Sequence, residues 1–168
     1  MRQSQERESL PPPYAAELRR IIHESTPRLL RLSDVEAKHH LRPGKWSAAE
    51  VIGHLIDSAS NNHQRFVRAQ FQDDLVFPGY DQDAWVALQA YGDAHWLDLV
   101  TLWKFFNIQI ARIMENSPES VRNALRAKHN LDKLAWRPVP SNQPVTLDYF
   151  MNDYVDHLKH HLAQIFPD

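Results

Sequence analysis

The chain has 168 residues, 43% of them hydrophobic and 24% charged, which is enough apolar material for one packed domain. Its formal charge of -2, from 19 basic and 21 acidic residues, argues against nucleic acid as a partner, because a phosphate backbone needs a basic excess. Cysteine is absent, so disulfides, a thiolate nucleophile and sulfur-ligated zinc are excluded, and any metal ion must bind nitrogen and oxygen.

Residues 1–13 are predicted to form a flexible N-terminal tail. They combine charged residues, serines and the run Pro11-Pro12-Pro13, a composition that buries too little surface to offset the entropy of ordering. They lack the apolar stretch of a signal peptide, and no apolar run in the chain approaches the roughly 18 residues that span a bilayer. We therefore expect a cytoplasmic protein with no membrane partner and a single domain over residues 14–168.

The first two helices of this domain are predicted from spacing and capping. After the tail, apolar residues recur at helical spacing, but Thr26-Pro27 interrupts the pattern, which predicts a kink or a restart. Ser33-x-x-Glu36 is a capping box, in which a serine and a glutamate satisfy backbone N–H groups at a helix start. It predicts a short helix that ends before Pro43-Gly44.

A second capping box, Ser47-Ala48-Ala49-Glu50, opens the clearest helix of the sequence, which we expect to extend to about Phe71. Phe77-Pro78-Gly79-Tyr80 predicts a turn, and the next long helix is expected from about Ala94 to Glu115. The connection over residues 77–94 is long for a helical bundle. It is predicted to cover one end of the core and to form the wall of a pocket.

The last third of the chain contains one short and one long predicted helix. Ser117-Pro118 predicts a shorter helix to about Ala127, and the proline-rich residues 137–144 predict a loop. Thr146 is the predicted cap of the last helix, which extends to about Ile165. Four long amphipathic segments, without an alternating strand or a repeat, predict an all-α fold: a four-helix bundle with additional short helices.

Ten histidines are a high number for this length, and two of them share one face of the last predicted helix. His157 and His161 are four residues apart, in register with the apolar residues Leu147, Phe150 and Tyr154. This register directs both imidazoles toward the bundle interior. Two neutral imidazoles at that spacing can share one metal ion, which would satisfy both buried rings. The spacing alone also fits ordinary core or surface histidines.

A third ligand has to come from another helix, and His54 is the best candidate. It lies between an apolar neighbour, Leu55, and a polar line along the same helix, at a boundary where a core meets a cavity. The polar line consists of Asp57, Ser58, Asn61 and Arg65. Because His54 and His157 are 103 positions apart (157 minus 54), only the fold can bring them together.

Two segments resemble the hallmark segments of the DinB/YfiT-like superfamily in order and separation: PGKWSAAEVIGHLID at residues 43–57 and HLKHHLAQI at residues 157–165. The resemblance extends from about Leu18 to Ile165 and includes residues 78–81 and a tryptophan-rich third helix. In that family, a histidine of the GHL segment and the first and last histidines of the HxxHH segment bind a divalent metal ion. The corresponding residues here are His54, His157 and His161.

The resemblance implies a four-helix bundle of the DinB/YfiT-like type, commonly a homodimer, with nickel, zinc or a similar ion exposed in a cleft. Some members of the family are transferases or isomerases that use an external low-molecular-weight thiol, and many carry the name of metal-dependent hydrolases. Family membership therefore implies the metal ion more firmly than the reaction.

Polar residues beside these histidines are candidates for supporting roles. Asp57 and Asp153, each one turn from a predicted ligand, can accept a hydrogen bond from an imidazole and fix its tautomer; the alternative is a solvated carboxylate. Asn61, Arg65 and Arg68 can hold an anionic group of a substrate, since arginine offers a forked set of donors; the alternative is a solvated helix face.

The other histidines and the tryptophans are given structural roles. His160 points away from the face that its neighbours share, so we expect it to be exposed or to support a ligand without binding the ion. Six further histidines lack a partner at ligand spacing and are predicted to have surface or capping roles: His23, His39, His40, His63, His95 and His129. The five tryptophans are predicted to lie in the core or in the wall of a pocket.

Two functional hypotheses follow from these residues. In the first, a three-histidine site activates water for hydrolysis of a small molecule, or activates an external thiol for transfer to an electrophile. In the second, the ion has no catalytic role, and the bundle sequesters a small molecule or uses the ion to hold two helices together.

Overall fold

The computed structural model describes residues 10–40 and 42–167. In chain order, the helices are α1 (Pro13–Leu29), α2 (Asp34–Lys38), α3 (Ala48–Arg68), α4 (Gln82–Leu88), a 3-10 segment (Tyr91–Asp93), α5 (Trp96–Asn116), α6 (Glu119–Arg122), α7 (Leu131–Leu134) and α8 (Leu147–Ile165). The described residues contain two isolated β-bridges and no longer strand. The prediction of an all-α four-helix bundle with additional short helices is confirmed by the long helices α1, α3, α5 and α8.

The four long helices surround one apolar core. Helix α5 packs against α1 and α3, and α8 packs against the same two helices, so the consecutive long helices α1 and α3 lie across a diagonal of the bundle. Fully buried side chains from all four helices fill the centre, and burial of their apolar surface is the main stabilising contribution. The largest include Trp103, Phe66, Leu18, Leu29, Ile52, Leu55, Ile110, Met114, Leu147 and Met151.

Side-chain caps begin three helices as the sequence predicts. Ser33 and Ser47 each accept a hydrogen bond from the backbone N–H three residues later, and the carboxylates of Glu36 and Glu50 accept a bond from the serine N–H. Thr146 accepts a bond from a backbone N–H in the first turn of α8. These caps satisfy backbone donors that have no partner within the helix, and so define where α2, α3 and α8 start.

Two long helices depart from the sequence predictions. Of the kink or restart predicted at Thr26-Pro27, the restart is wrong, because α1 continues through Pro27 and ends at Leu29. Helix α3 ends at Arg68 rather than near Phe71. There the N–H of Phe71 bonds to the Arg68 carbonyl, so the last turn tightens to a three-residue hydrogen-bond spacing and stops.

The helix that follows Pro118 is also shorter than predicted, and ends at Arg122 rather than near Ala127. Arg126 leaves the helical path because its backbone pairs with Val145: the Arg126 N–H donates to the Val145 carbonyl at 2.8 Å, and the reverse bond is 3.1 Å. Tertiary hydrogen bonding here overrides the local helical preference.

Residues 77–94 cover one side of α3. The turn predicted at residues 77–80 is not present, since these residues form no regular element, and Asp81 then caps α4 by accepting a hydrogen bond from the N–H of Ala84. Both α4 and the 3-10 segment pack against α3. The ring of Tyr91 lies so close to Gly53 that a Cβ atom on Gly53 would overlap it, which explains why glycine occurs at this helical position.

Most of the predicted tail, residues 1–13, lies outside the described residues. Helix α1 begins at Pro13, so the last residue of that predicted tail is helical. None of the described helices has the length and apolar character needed to cross a membrane.

Candidate metal centre

Three histidines meet where α3 packs against α8. Helix α3 contributes His54, whose residue is 2% exposed, and α8 contributes His161, which is 7% exposed. His157, one turn before His161, is half-buried. The structure therefore brings together all three histidines that the sequence predicts as ligands.

The ring nitrogens of these three residues are close enough to share one ion. The Nε2 atoms of His54 and His157 are 3.3 Å apart. One ring nitrogen from each of His54, His157 and His161 lies within 4.8 Å of the other two. Two nitrogens that each lie roughly 2.0–2.1 Å from one tetrahedral ion are about 3.3 Å from each other. The donor set therefore fits a divalent ion.

Burial keeps the three imidazoles neutral. Desolvation, together with the charge that His161 would carry, lowers the pKa of His54 to about 4. Desolvation and the neighbouring rings lower the pKa of His157 to about 2, and desolvation also lowers the pKa of His161. A neutral imidazole offers a free lone pair, and this is the form that binds a metal ion.

A hydrogen bond sets the tautomer of His161. Its Nδ1 lies 3.3 Å from the amide oxygen Oε1 of Gln164, so Nδ1 donates and Nε2 keeps its lone pair. His54 has no such bond among the described residues, because its buried Nδ1 is without a hydrogen-bond partner. Of the two, His161 is therefore the ring that a protein acceptor orients.

Two tryptophans enclose the cluster. The ring centroid of Trp46 lies 5.0 Å from that of His54, and the centroid of Trp136 lies 5.7 Å from that of His157. The exposed ring of His160 lies 4.3 Å from Trp136 and does not belong to the group of three. The cluster is thus shielded on two sides by aromatic surface.

A cavity of about 260 Å³ opens beside His54 and His157. Its walls come from α3, α8, the segment that leads into the start of α4, and α7 with the two residues that follow it. A second cavity of about 540 Å³ adjoins His161. The predicted pocket wall over residues 77–94 is present, since Gly79, Tyr80 and Gln82 line the first cavity.

Neither predicted carboxylate bonds to a histidine. Oδ1 of Asp57 accepts hydrogen bonds from the Tyr91 hydroxyl at 2.7 Å and from the Gln89 amide at 2.8 Å. Asp153 accepts bonds from the backbone N–H groups of Trp136, at 2.7 Å, and Arg137, at 2.8 Å. Both residues are almost fully buried, so the alternative of a solvated carboxylate is also wrong. They anchor neighbouring segments to α3 and α8.

The polar residues predicted along α3 lie in different environments. Asn61 donates from its side chain to the carbonyl oxygen of Asp57 within the helix. Arg65 is buried and lines the first cavity, whereas Arg68 is exposed. Of the three residues proposed for a substrate anion, Arg65 is the one that faces the cavity.

One of the remaining histidines is buried. Nε2 of His129 donates to the carbonyl oxygen of Gln143 at 2.8 Å, while its Nδ1 accepts a bond from the N–H of Leu131 at the start of α7. It has the predicted capping role but lies inside the fold, at 7% exposure.

The sequence patterns missed Tyr80, Gln82 and Lys133, which line the first cavity. They come from connecting segments or a very short helix, where no periodic pattern marks a residue. The length of the 77–94 connection was the one signal available.

Comparisons with known proteins give related matches. The family model of the DinB superfamily matches residues 17–165. A protein of Oceanobacillus iheyensis, named "Putative metal-dependent hydrolase OB0782", is 26% identical over 147 residues, which cover 84% of this chain and 78% of that protein. The solved structure of YfiT from Bacillus subtilis is described as a probable metal-dependent hydrolase with an unusual four-helix bundle topology. It matches with a TM-score of 0.70 at 20% identity, covering 97% of this chain and 90% of that one.

The structural match is a likeness of fold, whereas the family match covers both histidine segments and extends from α1 to the end of α8. The resemblance that the sequence segments predict is therefore confirmed. The chain belongs to the DinB superfamily.

Proposed function

We propose that the protein is a metal-dependent enzyme that holds a divalent ion, nickel or zinc, through His54, His157 and His161. The observation that carries the proposal is the convergence of three neutral imidazoles from α3 and α8 beside a cavity. Three protein ligands leave coordination positions open, which is typical of catalytic rather than structural sites. The words metal-dependent hydrolase, which describe both similar proteins, support the same class of function.

His54, His157 and His161 would hold the divalent ion, and its Lewis acidity would lower the pKa of a water or thiol so that a nucleophile forms near neutral pH. The chain supplies binding and orientation. The cavity beside His54 and His157 accepts the substrate, and Trp46 and Trp136 limit the access of water to the rings. Gln164 holds His161 in the tautomer whose Nε2 has a free lone pair.

The reaction is either hydrolysis of a small molecule or transfer of an external low-molecular-weight thiol to an electrophile. Because the chain contains no cysteine, the sulfur of a thiol reaction comes from a cosubstrate. Two cavities adjoin the cluster, one of about 260 Å³ and one of about 540 Å³. This arrangement favours a reaction between two small substrates. We also propose a homodimer in solution, which light scattering tests.

The alternative is a protein without turnover, in which the ion holds α3 and α8 together or the cavity sequesters a small molecule. The 3.3 Å separation between the Nε2 atoms of His54 and His157 also suits a hydrogen bond between the two rings. A direct measurement of the ion and of turnover therefore has to separate the two hypotheses.

Elemental analysis of protein purified without a histidine tag tests for the ion, and we expect more than roughly 0.2 nickel or zinc ion per chain. Model esters and thiol cosubstrates are then screened against metal-loaded protein, with the apoprotein as control. Activity that chelation removes and added ion restores supports the enzyme. A retained ion without turnover of any substrate favours the alternative, and a smaller ion content contradicts the metal centre.

A further inference from the structure

Arg65 brings a buried positive charge to the cavity beside the histidines. The residue is 6% exposed and lines the same cavity as His54 and His157. Its Nη2 donates to the carbonyl oxygen of Pro78 at 2.8 Å, and its Nη1 lies 3.4 Å from Oδ1 of Asn62. These bonds use two of the five N–H donors of a guanidinium, and both acceptors are uncharged.

No carboxylate in the described parts of the chain forms an ion pair with Arg65. The one ionisable side chain there whose charge affects the pKa of Arg65 is Tyr80, through its hydroxyl. A buried charge without a counter-ion is costly. The bond to Pro78 does not require a charge, because a neutral amide side chain also donates to a carbonyl oxygen. An anion that enters the cavity would supply the missing counter-charge.

Arg65 lies on the same face of α3 as His54. Steps of four, four and three residues lead from His54 through Ser58 and Asn62 to Arg65, and all four line the cavity. Eleven residues (65 minus 54) at about 1.5 Å each separate the two backbones by about 16 Å along the helix axis. The guanidinium points back toward Asn62, on the His54 side. The cavity thus has the histidines at one end and Arg65 at the other.

The other charged groups of the cavity leave room for one negative charge. Both oxygens of Asp153 already accept backbone N–H bonds, and Lys133 is exposed at the rim. With neutral histidines and without a metal ion, the lining carries a net charge of +1: two cations, Arg65 and Lys133, minus one carboxylate, Asp153. The volume of about 260 Å³ lies below the roughly 300–1,000 Å³ of sites for drug-sized ligands. The ligand is therefore small.

We propose that this cavity binds a small, elongated monocarboxylate, whose carboxylate pairs with Arg65 and whose other end reaches His54 and His157. A carboxylate matches the forked donors of a guanidinium, and its single charge matches the net charge of the lining. In the metal-free protein, a phosphate dianion would leave one negative charge uncompensated. The inference rests on the proposed function, because it names the substrate class of the same site.

Isothermal titration calorimetry on metal-free protein tests the proposal with butanoate, hexanoate and octanoate. Hexanamide serves as the neutral comparison and hexyl phosphate as the dianionic one. The ion is removed first because carboxylates also bind divalent metals. We expect the best carboxylate to bind at least about tenfold more tightly than hexanamide or hexyl phosphate. Equal binding of hexanoate and hexanamide, tighter binding of hexyl phosphate, or no binding of any carboxylate would overturn the proposal.

Variants then locate the carboxylate. Arg65→Gln keeps a donor for Pro78 but removes the charge, and we expect it to weaken carboxylate binding at least about tenfold. Arg65→Lys keeps the charge but loses the forked donors, so its affinity should lie between those of the wild type and Arg65→Gln. Arg68→Gln, on the exposed side of the same helix, should match the wild type. Unchanged affinity in a folded Arg65→Gln protein would overturn the proposal. If that variant does not fold, the ratio of hexanoate to hexanamide affinity in the wild type still decides.

This experiment separates the two proposals, because the titration needs no metal ion. If the protein is purified without nickel or zinc but binds carboxylates through Arg65, the metal centre is refuted and the anion site is supported. If the purified protein contains the ion but shows no preference for carboxylates, the anion site is refuted and the metal centre is supported.

Discussion

The Nε2 atoms of His54 and His157 lie 3.3 Å apart, although 103 positions separate the two residues in the chain. They meet because α3 and α8 are neighbours in the bundle, and each helix has a capped start that sets the height of its histidine. A site built from two helices depends on their packing, so binding of an ion at this point is linked to the stability of the fold.

His157→Ala removes one of the three converging imidazoles. We expect the ion content after dialysis to fall about tenfold or more, because two ligands hold a divalent ion much less tightly than three. Inductively coupled plasma mass spectrometry measures the content. His160→Ala is the matched control, since its exposed ring lies outside the cluster, and it should leave the content unchanged. Equal losses in the two variants would refute the assignment of ligands.

Chelation should leave the bundle folded. The largest buried side chains, such as Trp103 and Phe66, form an apolar core that does not include the histidines. At an ion concentration about 100 times Kd, binding adds about 2.7 kcal/mol, which corresponds to a loss of about 5–10 °C in Tm on removal. Circular dichroism should show a retained helical signal and a cooperative transition. Collapse of the helical signal at 25 °C would instead assign the ion a structural role.

Gly53→Ala should destabilise the protein, although alanine favours helices, because the new Cβ overlaps the ring of Tyr91. We expect a loss of about 1–2 kcal/mol in the free energy of unfolding, from overpacking that exceeds the gain in helix propensity. Urea denaturation measures it. Gly92→Ala is the control, since its Cβ would meet only Glu50, at 3.9 Å.

A double-mutant cycle makes this test sharper. In a Tyr91→Gly background the overlapping ring atoms and the Cβ of residue 91 are all absent, so the same Gly53→Ala change should become stabilising, by up to about 1 kcal/mol. A destabilising effect that persists in this background would show that the Tyr91 side chain is not its cause.

Asp153→Ala should destabilise the protein by about 1.5–3 kcal/mol, because the N–H groups of Trp136 and Arg137 lose a charged, buried acceptor. Asp156→Ala is the control on the same helix. Asp156 also contacts Arg137, but through the exposed guanidinium at 3.0 Å, and such a pair contributes at most about 1 kcal/mol. Urea denaturation of both variants compares them, and similar losses would contradict the role given to Asp153.

Helix starts were predictable because capping is local. The boxes at Ser33 and Ser47 involve atoms three residues apart, so the chain needs no tertiary partner to form them. Helix ends were less predictable. The segment after Pro118 leaves its helix because Arg126 pairs with Val145, and nothing near Arg126 in the sequence indicates that bond.

In the candidate site, too, relations within one helix were predictable from the sequence, and relations between helices were not. The four-residue spacing of His157 and His161 on an apolar register determines that these rings share one face, since the helical period alone requires it. His54 was predicted from its position beside the polar line of its own helix and from the resemblance to a family, because spacing cannot relate residues on different helices.

The sequence by itself determined the helical class, the capped starts of the helices and the face on which each histidine lies, because these depend on atoms within a few residues of one another. Only the tertiary structure decided that Asp57 and Asp153 bond away from the histidines, and that Arg65 is buried beside them rather than solvated. Those outcomes depend on segments that are distant in sequence, such as Tyr91, Trp136 and Pro78, whose positions arise only when the bundle packs.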